Sequence, residues 1–219
     1  MKLNDLDTAH VSAATVVPYL QSTLKRIFDI VFSLLVLALI SPIWLLAIFL
    51  VSLDGGPVFY SQRRVGLNGK VFNCWKFRTM VVNAESVLEK LINSDPQIAH
   101  EWRSTQKLRV DPRITKVGKW LRRCSVDELP QFINVLNGTM SVVGPRPFAR
   151  DQMSLYDNVA LAKYLSVKPG LTGSWQVYAR HDTTFACRAK YDQLYVDQAS
   201  FALDLALVAR TPLAMLRGQ

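Results

Sequence analysis

From Ile27 to Leu53 the chain is almost wholly apolar, with Asp29 the only charge before Asp54. A run of that length and composition belongs against lipid. It exceeds a signal-peptide core of about 7–15 residues, and Asp54-Gly55-Gly56-Pro57 is not a small-x-small cleavage site. The segment is therefore expected to be retained as an anchor.

Ser41 and Pro42 stand in the middle of this run. Pro42 lacks the N–H that would bond the Ala38 carbonyl and its ring clashes with that carbonyl, while the Ser41 hydroxyl competes for the Leu37 carbonyl. The arms on either side, Ile27 to Ile40 and Ile43 to Leu53, measure about 21 Å and about 16 Å, against a hydrocarbon core of about 30 Å. Neither arm spans alone, which leaves one kinked spanning helix or a broken helix that leaves on the side it entered. Lys25 and Arg26 precede the run, and Arg63, Arg64, Lys70, Lys76 and Arg78 follow it, so the positive-inside bias pulls both ends to the cytoplasm. A re-entrant anchor satisfies both pulls, and a single-pass helix with a tolerated proline also satisfies the backbone.

Beyond the anchor, Pro57 to Val65 and Lys70 to Arg78 flank Asn68-Gly69, the strongest short signal for a two-residue hairpin turn. Asn83 to Lys107 is polar and helix-prone, with one short apolar stripe at Leu88, Leu91 and Ile92 and an interruption at Asp95-Pro96. Phe201 to Leu216 is apolar but carries Asp204, Arg210 and Pro212, which fits a packed or interfacial helix better than a second span.

Charge narrows the partners. With 26 Lys and Arg against 17 Asp and Glu, the net charge is +9, favouring phosphates, nucleic acids or acidic headgroups. The three cysteines, Cys74, Cys124 and Cys187, form no framework or zinc spacing, and His10, His100 and His181 stand far apart. Histidine catalysis and a structural disulfide are not indicated.

The chemistry concentrates between Asp111 and Gln131, where Arg113, Lys116, Lys119, Arg122 and Arg123 lead into Ser125-Val-Asp-Glu. That tetrapeptide matches a capping box, with Ser125 as N-cap and Glu128 at N3, and it places Asp127 in a first helical turn. Alone, Asp127 and Glu128 read as complements to a helix dipole. Their company shifts the reading: the five bases upstream, and Gly144-Pro145-Arg146-Pro147 downstream, where an arginine between prolines suits fixed phosphate contacts. A carboxylate among arginines stays ionised and is a nucleophile for phosphorus, and magnesium could bridge it to phosphate oxygens.

Several blocks together carry a resemblance: Lys25-Arg26-Ile27-Phe28-Asp29 with the Ser41-Pro42 break, Tyr60-Ser-Gln-Arg-Arg-Val-Gly66, Trp75-Lys-Phe-Arg-Thr-Met80, Arg122 to Gln131, Asn134 to Pro147, and Pro169-Gly-Leu-Thr-Gly-Ser-Trp-Gln176. In this order they resemble the bacterial sugar transferase family, the monotopic phosphoglycosyl transferases that initiate exopolysaccharide, O-antigen and glycoprotein glycan assembly. The match runs from about Lys25 to the C-terminus. Only 24 residues precede the anchor, so the likeness is to the short form named for exopolysaccharide production.

The resemblance implies transfer of a hexose 1-phosphate, galactose or glucose, from a UDP-sugar to undecaprenyl phosphate with release of UMP. Asp127 is then the nucleophile of a covalent phosphosugar intermediate. Glu128 assists with magnesium or proton traffic, Asp127 and Glu128 hold Mg2+, Arg122 and Arg146 hold phosphate, and Lys76 lines the site. The fold so expected is α+β: a small, mostly helical catalytic domain with a β-hairpin, on a re-entrant (broken) N-terminal membrane helix. Residues 1–23 form a tail, 24–53 the anchor and 54–219 the cytoplasmic catalytic domain. The enzyme is expected on the cytoplasmic face of the bacterial inner membrane, with membrane lipid and no nucleic acid as partner. The sequence leaves open whether copies associate as a homo-oligomer. Trp175, Gln176 and Tyr178 fit acceptor or donor contacts and core equally well. A membrane-tethered nucleic-acid binder, which leaves the acidic pair unexplained, and a non-catalytic export scaffold, which predicts that Asp127→Asn retains function in cells, are the competing classes.

Overall fold

The computed structural model describes residues 17–105, 108–180 and 184–217. Most of the expected tail, together with His10 and His181, lies outside the described residues. Helix α1, Thr23–Ser52, carries the apolar run, and it is the one helix among the described residues long and apolar enough to cross a membrane. Leu34, Leu35, Leu39, Ile43, Leu45 and Phe49 are all exposed along it, as a lipid-facing surface requires. Pro42 lies inside α1 rather than between two separate helices. A proline takes that position at the cost of one backbone hydrogen bond.

The hairpin follows as expected. Strands β1, Phe59–Val65, and β2, Val71–Phe77, pair in a two-stranded sheet. Asn68 has φ 55° and Gly69 φ 73°, and Lys70 N–H donates to the Leu67 carbonyl at 3.2 Å, the backbone of a primed turn whose twist matches the strands. Helices α2, Ala84–Ser94, and α3, Pro96–Thr105, are the expected pair. Pro96 opens α3 where its missing N–H costs nothing, and the Asp95 carboxylate accepts from Gln97 N at 2.7 Å.

After α4, Lys116–Arg123, and α5, Gln131–Leu136, come β3, Ser141–Val143, α6, Asn158–Leu165, β4, Gly170–Thr172, α7, Ser174–Tyr178, α8, Phe185–Gln198, and α9, Phe201–Arg217. Strand β3 pairs parallel with β4, Ser141 opposite Gly170 and Val143 opposite Thr172. The crossover through α6 is what a parallel pair demands.

The chain divides into two compact units. The first comprises residues 1–39, 61–74 and 131–219, and its core gathers Cys74, Val135, Met140, Val142, Val143, Tyr195, Val196 and Leu207. A second cluster in the same unit packs Val65, Phe148, Tyr156, Ala160 and Tyr164. Helix α9 buries Asp204 and Leu207 while Phe201, Leu205 and Leu213 stay exposed, so it is packed along one face, as its internal charges foretell.

Inside this unit the start of α1 is held by buried charge. Lys25, 4% exposed, donates to an Asp204 carboxylate oxygen at 2.6 Å and to the Val143 carbonyl at 3.1 Å. Asp204 also accepts from the hydroxyls of Tyr19 at 2.7 Å and Tyr195 at 2.9 Å. Asp29 accepts from Ser141 Oγ and Val142 N, both at 2.9 Å. Arg26 donates to the carbonyls of Val135 and Leu136 at 2.7 Å, closing the end of α5. Lys25 and Arg26 are thus internal partners rather than charges offered to headgroups. An aspartate in an apolar run cannot face lipid, so this face of α1 turns inward.

The second unit comprises residues 40–60 and 75–130. Ala47, Val51, Phe77, Leu121 and Val126 form its core, with Trp44 and Phe59 each 5.4 Å from the Phe77 ring. Here the end of α1 is closed by Arg78. Its guanidinium donates to the carbonyls of Pro57 at 2.6 Å, Met80 at 3.0 Å and Val51 at 3.1 Å, and engages both oxygens of Asp54. Arg78, one of the charges that follow the apolar run, is buried, because an orphan helix-end carbonyl and a fixed carboxylate occupy its fork.

Candidate active site

The acidic pair stands in the second unit, on a turn that the sequence misassigned. Ser125 is left-handed, φ 55° and ψ 20°, and makes no side-chain cap. An N-cap needs extended backbone at that residue, so the capping box does not form. Val126–Glu128 instead make one 3-10 turn, and α5 begins only after Pro130. A turn this short has little dipole, so dipole compensation does not explain the acids. Val126 points into the core, and the turn it anchors carries Asp127 and Glu128 outward to half-buried positions.

Two neighbours reach this turn and its approach from separate elements. Lys76, next to last on β2, alternates with the buried Phe77 and so faces the other side of the strand. Its Nζ donates to Glu128 Oε1 at 2.8 Å, with side chains 21% and 22% exposed. Arg122 lies in the last turn of α4 and donates through Nε to Thr79 Oγ1 at 2.9 Å. The Thr115 hydroxyl starts α4 by accepting from Gly118 N at 2.8 Å, a cap worth about 1 kcal/mol. Gly118 lies so close to the Thr79 backbone that a Cβ there would overlap its carbonyl.

Lys76 and Glu128 are therefore brought together. Arg122 is tied to the segment that follows β2, and Lys116, Lys119, Arg122 and Arg123 are all exposed. Arg113 is not among the available cations: it forks onto Asp111 at 2.9 and 2.7 Å and lies 5.0 Å over the Trp102 ring. The hydrogen bonds from Arg113 hold the Asp111 carboxyl below the usual carboxylate range. No group of three or more His, Cys, Asp or Glu able to hold a metal occurs among the described residues.

Arg146 belongs to the first unit, half-buried between Pro145 and Pro147 just after β3. Its carbonyl accepts from an Arg188 guanidinium nitrogen. Trp175 of α7 lies over the same guanidinium, 5.6 Å from ring to Cζ, and Tyr178 is exposed with Arg210 above its ring and bonded to its hydroxyl. The sequence reading missed Arg188 and the clamp of Arg78. No local spacing could have found them, since their partners stand tens of residues away.

The comparisons with known proteins agree with one another. The family described as bacterial sugar transferase matches residues 20–218. The chain is 47% identical over 188 residues to the exopolysaccharide production protein ExoY of Sinorhizobium fredii, covering 85% of this chain and 83% of that protein. It is 46% identical over 195 residues to the undecaprenyl-phosphate galactose phosphotransferase of Salmonella typhimurium, covering 89% of this chain and 40% of the longer relative. It is 40% identical over 219 residues to the UDP-glucose:undecaprenyl-phosphate glucose-1-phosphate transferase of Klebsiella pneumoniae, at 93% and 44% coverage. With nearly its whole described length matched, the chain belongs to the bacterial sugar transferase family.

Proposed function

We propose that the protein transfers a hexose 1-phosphate, galactose or glucose, from a UDP-sugar to undecaprenyl phosphate and so starts an exopolysaccharide repeat. The named activities of the Salmonella and Klebsiella relatives support the reaction class. The observation that carries it to particular residues is the tight turn of Val126–Glu128, which holds two adjacent carboxylates, Glu128 bonded to Lys76, downstream of the exposed cations of α4.

In the first step an Asp127 oxygen attacks the phosphorus that bears the sugar. The bond from that phosphorus to the UMP oxygen breaks, and UMP leaves with the electron pair. In the second step a phosphate oxygen of undecaprenyl phosphate attacks the same phosphorus, and the Asp127 carboxylate is released. Arg122 and Arg146 hold phosphate oxygens, and Lys76 keeps Glu128 in place. Asp127 and Glu128 would hold a magnesium ion, whose hard-oxygen preference suits one or two carboxylates with substrate phosphate completing the shell. It would supply charge to the transferring phosphoryl group.

The anchor, residues 24–53, enters and leaves on the cytoplasmic side of the inner membrane, bending at Ser41 and Pro42, with 54–219 as the catalytic domain. Its support is topological. The start of α1 is bonded to Ser141, Val143 and Asp204, and its end to Arg78. No second helix among the described residues is long and apolar enough to cross a membrane.

Asp127→Asn is expected to abolish UMP release from UDP-galactose and UDP-glucose, because an amide forms no acyl phosphate under these conditions. Turnover at the wild-type rate would rule out the assignment. For the anchor, cysteines placed at Thr8 and Ser61 are expected to react with an impermeant thiol reagent from the same side of sealed vesicles. Labelling from opposite sides would show a spanning helix.

A further inference from the structure

The Pro145-Arg146-Pro147 segment has few means of holding itself in place. Each ring fixes its own φ and confines the residue before it to extended backbone. Each also removes an N–H, and the carbonyls of the segment and of Phe148 accept hydrogen bonds from elsewhere in the unit. The Pro145 carbonyl accepts from Gly170 N at 2.8 Å, and the Phe148 carbonyl from Val65 N at 3.0 Å. Between them the Arg146 carbonyl accepts from Arg188. Two of these three donors are backbone, and the third is a side chain reaching from α8.

Arg188 is an unusual choice for its surroundings. It is 8% exposed, and its guanidinium lies over the rings of Phe148, Tyr156, Trp175 and Phe185 at 5.5, 6.0, 5.6 and 5.7 Å. Asp192, one turn on, comes no closer to Nε than 3.6 Å and receives the Tyr156 hydroxyl at 2.7 Å. Burial pushes the Asp192 carboxyl up to about 6. An apolar side chain would pack among four rings without burying a charge, and such replacements are often neutral or stabilising. What a leucine or methionine could not do is present a rigid planar donor to the carbonyl of Arg146.

We infer that Arg188 is a positioning residue, fixing the peptide from which Arg146 reaches the donor diphosphate. This rests on the reading of Arg146 as a phosphate contact. Arg188 touches no substrate; it acts through the orientation of its neighbour. The cation–π contacts with the surrounding rings hold the fork in one plane, so the strut is stiff at both ends.

A double-mutant cycle on the full chain in phospholipid nanodiscs that also hold undecaprenyl phosphate tests it, reading kcat/KM for UMP release from UDP-galactose and UDP-glucose. Arg188→Met is expected to lower kcat/KM roughly tenfold, since small misplacements of a binding group carry costs of that order or more. Arg188→Lys, which keeps a donor but not the fork, is expected to recover part of the loss. In an Arg146→Ala background Arg188→Met should change kcat/KM less than about twofold, because residues that act through one another are not additive. An equal loss in both backgrounds would mean a structural role and overturn the assignment, as would no loss in the wild-type background. If Arg188→Met does not fold, Arg188→Lys is carried through the same cycle with the same criteria. Wild-type kcat/KM for Arg146→Ala alone would instead remove the phosphate role of Arg146, a different failure, and the positioning role with it.

Discussion

The two ends of α1 are each held by charge, in opposite ways. At the start, Lys25 is enclosed with two carboxylates, Asp204 fully buried and Asp29 nearly so. At the end, Arg78 is enclosed but its partner Asp54 keeps 44% of its side chain in water. The difference lies in what remains when one partner is removed. Without Lys25, two buried carboxylates lose the ion-pair partner they share. Without Arg78, Asp54 is already solvated, and only the carbonyls of Val51, Pro57 and Met80 lose a donor. A buried pair is thus costly to break whichever half goes, while a half-exposed pair is costly on one side only.

That contrast can be broken or sharpened by experiment. Lys25→Met is expected to be the most damaging change, destabilising the protein by about 3–5 kcal/mol in denaturant titrations in detergent. Arg78→Met should cost about 2–3 kcal/mol, the desolvation of carbonyls left without a partner. Equal losses, or the reverse order, would show that partner exposure does not govern the cost. The smallest effect is expected from acid. The hydrogen bonds from Arg78 lower the Asp54 carboxyl to about 2, below its unfolded value of about 3.9. Its contribution is present above that unfolded value and is lost as pH falls toward about 2. Between pH 5 and pH 2 the unfolding midpoint should therefore fall further for wild type than for Asp54→Asn, by a margin that solvent screening keeps small. Parallel curves would show that the clamp contributes nothing through charge.

Features that depend on neighbours in sequence were legible. The apolar anchor, the Asn68-Gly69 turn, the interruption at Asp95-Pro96 and the packed character of α9 all stand where residue pattern put them. The parallel pairing of Ser141–Val143 with Gly170–Thr172 was not read, because three-residue strands carry no period long enough to detect. Ser125 shows the limit of motif reading: Ser-x-x-Glu spells a capping box, but Val126 has to enter the core, and the backbone bends into the left-handed region to let it. Lys25, Arg26 and Arg78 were read as flanking charges because their acceptors lie far along the chain, at Asp204, Val135 and Val51. At the site, the bases and acids were all visible in the sequence, but not that Arg113 is spent on Asp111 while Lys76 meets Glu128.

Gly118 sits directly against the Thr79 backbone, with no room for a Cβ between them. A helix that rests directly on the carbonyl of the segment after β2 has its height set by bare main chain, and every side chain further along inherits that height. Arg122 meets the Thr79 hydroxyl one turn later because no methyl group props the helix up. The reach of a cation in this protein is therefore decided at a position that carries no functional group, and a change to alanine there would act as a spacer under the whole of α4.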